Sequence, residues 1–148
     1  MGPAGVRPWT SEAVVTAVDS SVLLDVLTDD PIHRAPSLEA LRAARQVGPL
    51  IACPIVWAEI RGCFDDGERM RRAFADAAIQ FDPFDQECAE TAGAHWRDYR
   101  RRGGSRTRLI ADFLIGAHAR VRGGRLLTRD RGFFRRYFED LQLVGAQG

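Results

Sequence analysis

The chain has 148 residues, enough for one domain with a normal core. Apolar residues make up 45% of it, which excludes a disordered chain, and no apolar run approaches the ~20 residues that cross a bilayer. The net charge of +1 hides a segregation: residues 1–96 carry 8 Arg against 15 acidic residues (net −7), and residues 97–136 carry 13 Arg against 3 Asp (net +10), a basic block suited to a polyanionic partner such as nucleic acid.

Residues 1–12, with two Gly and two Pro, are expected to form a flexible extension ahead of a single domain over 13–148. Residues 14–18 predict a first buried strand, short and β-branched. Residues 20–27 predict a helix with Asp19 or Ser20 near its cap, and residues 36–46 a second helix ended by Gly48-Pro49. Residues 50–53 predict a short strand, and Pro54 opens a helix carrying Trp57, Glu59 and Ile60. A helix over 67–78 and a short strand or connector over 79–81 precede a long helix over 85–102, with Asp85 as its N-cap. Gly103-Gly104 breaks the chain. A helix over 107–121, a strand over 125–128, a helix over 131–138 and a strand over 141–144 complete it. Strands alternating with helices imply right-handed βαβ units, an α/β fold with a parallel sheet between two helical layers.

Four acidic residues end or interrupt apolar runs: Asp19, Glu59, Asp112 and Asp130. Burying an unpaired carboxylate is costly, and four brought together would raise each other's pKa. A divalent cation removes the conflict, and carboxylate oxygens suit Mg²⁺ or Mn²⁺. Simpler readings stand beside this one. Asp19 and Asp130 each lie between a strand and a helix, where an acid also serves as N-cap. Asp112 also suits a first helical turn, where the dipole favours negative charge, and Glu59 also suits a solvent-facing helix position.

The order and spacing of these acids resemble the PIN-domain ribonucleases, in particular the VapC-type toxins of type II toxin–antitoxin systems. The motifs are Asp19-Ser20-Ser21-Val22-Leu23-Leu24, Val56-Trp57-Ala58-Glu59-Ile60, Ala111-Asp112-Phe113-Leu114-Ile115-Gly116-Ala117 and Thr128-Arg129-Asp130. The chain departs from the family pattern in its long lead before the first strand, and in Gly116 where alanine is common. The resemblance implies a PIN-like three-layer α/β/α fold with a short central parallel sheet. It also implies an Mg²⁺- or Mn²⁺-dependent endoribonuclease that hydrolyses RNA phosphodiesters and is neutralised by a cognate antitoxin. In that reading Asp19, Glu59, Asp112 and Asp130 are the catalytic and metal-binding set, with Ser20, Ser21 and Thr128 orienting the carboxylates. The alternative is a catalytically inactive PIN module that binds RNA or protein.

Arg100, Arg101, Arg102, Arg106 and Arg108 lead toward Asp112 and are the candidate RNA-backbone contacts, with Arg129, Arg131, Arg135 and Arg136 weaker ones. A solvated helix end is the plain alternative for any of them. Every basic residue is Arg, which speaks against the lysine-dependent Walker-type NTPases, receiver domains and HAD-type phosphatases. His33, His95 and His118 read as structural. Cys53, Cys63 and Cys88 read as free, buried thiols in a reducing cytosol, so a cytoplasmic location with no membrane association is expected. Trp57, Phe64, Phe74 and Trp96 offer either core packing or apolar surface for the antitoxin or for a homodimer.

Overall fold

Short β-branched and aliphatic triplets make the strands, and longer amphipathic stretches make the helices that cover them. The computed structural model describes residues 8–10, 12–104 and 110–145. In chain order these are β1 (Thr16–Val18), α1 (Ser20–Leu27), α2 (Arg34–Val47), β2 (Leu50–Ala52), α3 (Pro54–Arg61), α4 (Gly67–Asp76), β3 (Ile79–Phe81), α5 (Gln86–Arg101), α6 (Ile110–Arg122), β4 (Arg125–Leu127), α7 (Arg131–Tyr137) and β5 (Gln142–Val144). All strand pairs are parallel, in the order β3-β2-β1-β4-β5. Right-handed crossovers then put α1 to α4 on one face and α5 to α7 on the other, a three-layer α/β/α arrangement.

The expected elements recur with shifted ends. The first strand is confined to Thr16–Val18, where Thr16 pairs with β2, Val18 with β4 and Ala17 with both. The second helix starts at Arg34, ahead of Pro36, since proline is tolerated within a first turn whose amides lack helical acceptors. The start expected at residue 107, like Arg106 and Arg108, lies outside the described residues. So does most of the 1–12 extension, although Trp9 packs against the core. Asp85 caps α5 by accepting from the Cys88 amide at 2.9 Å, and Pro54 occupies the first turn of α3.

Phe113, fully buried on α6, is the centre of the core on its face of the sheet. Its ring meets Trp96 and Tyr99 of α5 and Phe133, Tyr137 and Phe138 of the α7 segment, at centroid separations of 5.2 to 6.1 Å. Trp96 is therefore half-buried packing, and Trp57 stacks on buried Phe74 at 4.0 Å. Cys53 and Cys88 are buried as expected, but Cys63 is exposed, because it follows the end of α3 on the solvent side.

A polar clamp ties α6 to the segment after β3. Arg122 Nε donates to Asp82 Oδ2 at 2.7 Å and its Nη1 to Asp85 Oδ2 at 2.9 Å, while His118 Nε2 lies 2.8 Å from Asp82 Oδ2. Asp82 is 2% exposed, yet hydrogen bonds from His118 and Arg122 outweigh its desolvation and hold its carboxyl below the usual value. His118 is thus structural.

Gly116 has a packing explanation. A Cβ built there would lie 2.5 Å from the ring of Phe138, itself fully buried. Alanine would gain up to ~1 kcal/mol of helix propensity but overpack at a cost of about 1–3 kcal/mol. Gly116→Ala should therefore be destabilising by about 1 kcal/mol, read as a lower urea midpoint with unchanged slope.

Candidate active site

The crevice of an open parallel sheet forms where the chain reverses its direction of travel across the strands. Here the chain goes from β1 out to β2 and β3, then crosses back to β4 and β5, so the reversal lies between β1 and β4. Asp19 leaves the carboxyl end of β1, and Thr128, Arg129 and Asp130 leave that of β4.

Asp19 is 6% exposed and fully engaged. Its Oδ1 accepts from the Ser20 amide at 2.8 Å, which caps α1. Its Oδ2 accepts from Ser21 Oγ at 3.0 Å and from Thr128 Oγ1 at 2.7 Å. The Asp19 amide donates to the Leu127 carbonyl at 2.9 Å, which locks the ends of β1 and β4 together. Asp19 is thus both a helix cap and a member of the crevice.

The other three acids arrive on separate elements. Glu59 comes from α3, where its Oε1 accepts from Ser20 Oγ at 3.1 Å. Asp112 lies in the first turn of α6, half-buried. Asp130 stands before α7 but makes no side-chain capping bond to it; its amide donates to Thr128 Oγ1 at 2.9 Å. Of the three hydroxyls singled out in the sequence, those of Ser21 and Thr128 donate to Asp19 and that of Ser20 donates to Glu59.

The charges of these acids act on one another. Burial raises the Asp19 carboxyl, its three hydrogen bonds partly offset that, and repulsion from Asp130 adds to it. Glu59 is exposed at its surface but partly desolvated at its carboxyl, which raises its pKa; repulsion from Asp19 and Asp112 adds to the effect. The fold has therefore brought the four carboxylates into one electrostatic field. The donors are hard oxygens throughout, a set that fits Mg²⁺ or Mn²⁺ and not a soft metal. Cys53 adjoins this field, and burial together with Asp19 and Glu59 pushes its thiol up to about 11, so it offers no thiolate.

Among the described residues, one group of three brings ligand atoms within 4.8 Å of one another: Asp25, Asp30 and His33. It already holds a cation. Arg129 forks Asp25 through Nε at 2.6 Å and Nη2 at 2.8 Å.

The basic segment lies close by. Arg97, Arg100, Arg101 and Arg102 are exposed at the end of α5, where Tyr99 and Trp96 pack on Phe113, the neighbour of Asp112. Arg129, a weaker phosphate candidate from sequence, instead turns inward to Asp25, and Arg131 Nη1 donates to the Gly145 carbonyl at 3.2 Å. Sequence reasoning passed over Asp25. Its signal was present, an acid inside Val22-Leu23-Leu24-Asp25-Val26-Leu27, where only a partner makes a buried charge tolerable.

Comparison with known proteins places the fold in a family. The profile of the PIN domain matches residues 16–139, and the chain belongs to that family. A search of curated proteins gives no sequence match. Similar solved structures include VapBC2 from Rickettsia felis bound to a DNA fragment from its promoter (TM-score 0.69, 16% identity, 87% of this chain and 96% of that one). VapBC-1 from nontypeable Haemophilus influenzae (0.66, 18%, 87% and 96%) and a toxin–antitoxin complex from Klebsiella pneumoniae (0.62, 22%, 80% and 89%) are also similar. At these identities the likeness is one of fold.

Asp19 and Glu59 start from ordinary values of 3.8 and 4.5 and are raised in the folded protein, so folding takes up protons there as pH rises past about 4. Their stability contribution is undiminished below the unfolded values and falls as pH climbs through the raised ones. Asp19→Asn removes the larger burial penalty. Without divalent ions, its urea midpoint relative to the parent should improve as pH rises above about 4. A pH-independent difference would contradict the buried-charge account of Asp19.

Proposed function

We propose that this chain is a VapC-type toxin: a metal-dependent endoribonuclease that hydrolyses RNA phosphodiesters in the cytoplasm and is silenced by a cognate antitoxin. The observation that carries the reading is the convergence of Asp19, Glu59, Asp112 and Asp130 in the β1/β4 crevice of a PIN domain, with raised carboxyls at Asp19 and Glu59. Among the described residues no helix is long and apolar enough to cross a membrane.

Asp19, Asp112 and Asp130 are the proposed ligands of one or two Mg²⁺ or Mn²⁺ ions, with Glu59 binding directly or through water. Such an ion supplies the Lewis acidity that polarises a phosphodiester and acidifies the attacking water. The chain's own part is to hold the carboxylates and the substrate. Thr128 and Ser21 fix the Asp19 carboxylate, and Ser20 orients Glu59, the acid with the best access to water and so the one suited to take a proton. Attack by water at phosphorus with departure of the 3′ oxygen leaves a 5′-phosphate and a 3′-hydroxyl. Arg100, Arg101 and Arg102, with Arg106 and Arg108 beyond the described residues, are proposed to draw the RNA backbone toward the crevice.

The antitoxin reading is supported by the toxin–antitoxin complexes among the similar structures. It has a physical counterpart in a cavity of about 550 Å³ between α1, α2 and α4, lined by Leu23, Val26, Leu38, Leu41 and Phe74. Arg42 and Arg45 are exposed at its margin, so the groove fits an amphipathic segment with an apolar face and acidic flanks. Half-exposed Phe81 on edge strand β3 and Ile110 on α6 support the further expectation of a homodimer.

Three outcomes test the proposal. Calorimetry should find Mn²⁺ or Mg²⁺ binding at millimolar concentration or tighter, weakened in Asp112→Asn; no heat from either ion in the parent protein means the metal assignment is wrong. Expressed alone in a bacterial host, the parent should arrest growth. Asp19→Asn should lose arrest and about 100-fold or more in kcat for RNA cleavage, while keeping its circular dichroism. Folded Asp19→Asn protein that still cleaves would favour a binding-module reading of the crevice. Finally, Leu38→Asp should weaken binding of the antitoxin encoded beside this protein by about tenfold or more while leaving RNA cleavage unchanged.

A further inference from the structure

Arg129 lies between Thr128 and Asp130, inside the loop that carries two of the crevice residues, yet its side chain leaves the crevice and enters the α1–α2 layer. There its guanidinium forks the Asp25 carboxylate, with Nε to Oδ2 at 2.6 Å and Nη2 to Oδ1 at 2.8 Å. Asp25 is 3% exposed, and Ser37 of α2 donates to its Oδ2 at 2.6 Å. The backbone of Arg129 is held as well. Its amide donates to Ser21 Oγ at 3.2 Å, the same hydroxyl that donates to Asp19 Oδ2. On either side of it, Thr128 Oγ1 donates to Asp19 Oδ2 and accepts from the Asp130 amide.

We propose that the buried Asp25–Arg129 pair is a positioning clamp that sets where Thr128 and Asp130 stand relative to Asp19. The reason is geometric. The loop that carries Thr128 and Asp130 follows a strand of only three residues, so its position must be set by side-chain contacts such as this one. A planar five-donor fork on a rigid carboxylate fixes both the distance and the orientation of the loop, which a single-point lysine contact would not. Asp25 is in turn held by two helices, its own α1 and, through Ser37, α2. The clamp thus transmits the packing of the α1–α2 layer to the far side of the crevice. Neither residue touches substrate; both act through Thr128 and Asp130. The same packing layer lines the groove assigned to the antitoxin, so a partner that shifts α1 against α2 would act on Asp130 through this pair. The inference rests on the metal-dependent nuclease reading of the crevice.

Breaking one side of a buried pair strands the other charge, so single removals such as Asp25→Asn risk unfolding the protein. The decisive variant replaces both partners by apolar residues of similar size, Asp25→Leu with Arg129→Met, which can leave stability intact. The second variant, Arg129→Lys, keeps the charge and loses the fork. Mn²⁺ affinity is measured by calorimetry on parent and variants, beside urea midpoints and the kcat and KM for RNA cleavage. The expected result is a parent-like urea midpoint for the double variant with Mn²⁺ affinity and kcat each lower by about tenfold to a hundredfold and KM little changed. Arg129→Lys should fall between parent and double variant. Folded variants whose Mn²⁺ affinity and kcat match the parent would reduce the pair to a stabilising contact and overturn the clamp. A loss confined to KM, with a flatter salt dependence, would instead assign Arg129 to the RNA path and overturn it too. A parent protein that binds no Mn²⁺ overturns the crevice reading itself, an outcome separate from either.

Discussion

The Asp19 carboxylate is the junction on which the crevice depends. A carboxylate at 6% exposure persists only when its oxygens are satisfied, and three donors from two distant segments satisfy them: the Ser20 amide, Ser21 Oγ and Thr128 Oγ1. The amide of the same residue closes the β1–β4 seam at Leu127. One residue therefore starts α1, joins the two central strands and faces the site. The cost of its burial ties the fold to the site, because the hydrogen bonds that make the charge tolerable are also those that set the position of the loop bearing Asp130.

Charge placement follows the same logic on a larger scale. Two sets of arginines bear on the layers and the crevice. Arg122 and Arg129 are turned inward, each on a buried aspartate, and stabilise packing between layers. Arg100, Arg101 and Arg102 end α5 in solvent, where their charge adds to a positive field beside the acidic crevice. On the proposed reading, an acidic centre beside a basic helix end suits a polyanion whose reactive phosphate must approach carboxylates that would otherwise repel it. The balance of attraction at the rim and repulsion at the centre is what a divalent ion would tip.

Aromatic packing makes the α5–α6–α7 layer rigid. Phe113 follows Asp112 directly and meets five other rings, so the first turn of α6 is held by the core beneath it. Gly116, one turn along, lets the Phe138 ring approach the helix backbone, which is why a small residue there is a packing requirement. The opposite layer keeps an apolar groove open between α1, α2 and α4.

Much of this was legible in the residues alone. Element order, the α/β class, Pro54 at the start of α3 and the Asp85 cap follow from local rules, because they depend on neighbours within four positions. The acids at the ends of apolar runs were legible too, since a charge beside a buried strand needs a reason. Tertiary structure alone decided that Asp19 and Thr128, 109 residues apart, share a hydrogen bond, and that Arg129 pairs with Asp25. It also decided that Cys63 is exposed while Cys53 and Cys88 are buried, and which face of α5 turns its aromatics to Phe113. The physical reason is range. Propensity, capping and periodicity act through adjacent turns, whereas the partner of a charged or hydroxyl side chain is chosen by the strand order β3-β2-β1-β4-β5, which arises only when the whole sheet assembles and brings the carboxyl ends of β1 and β4 side by side.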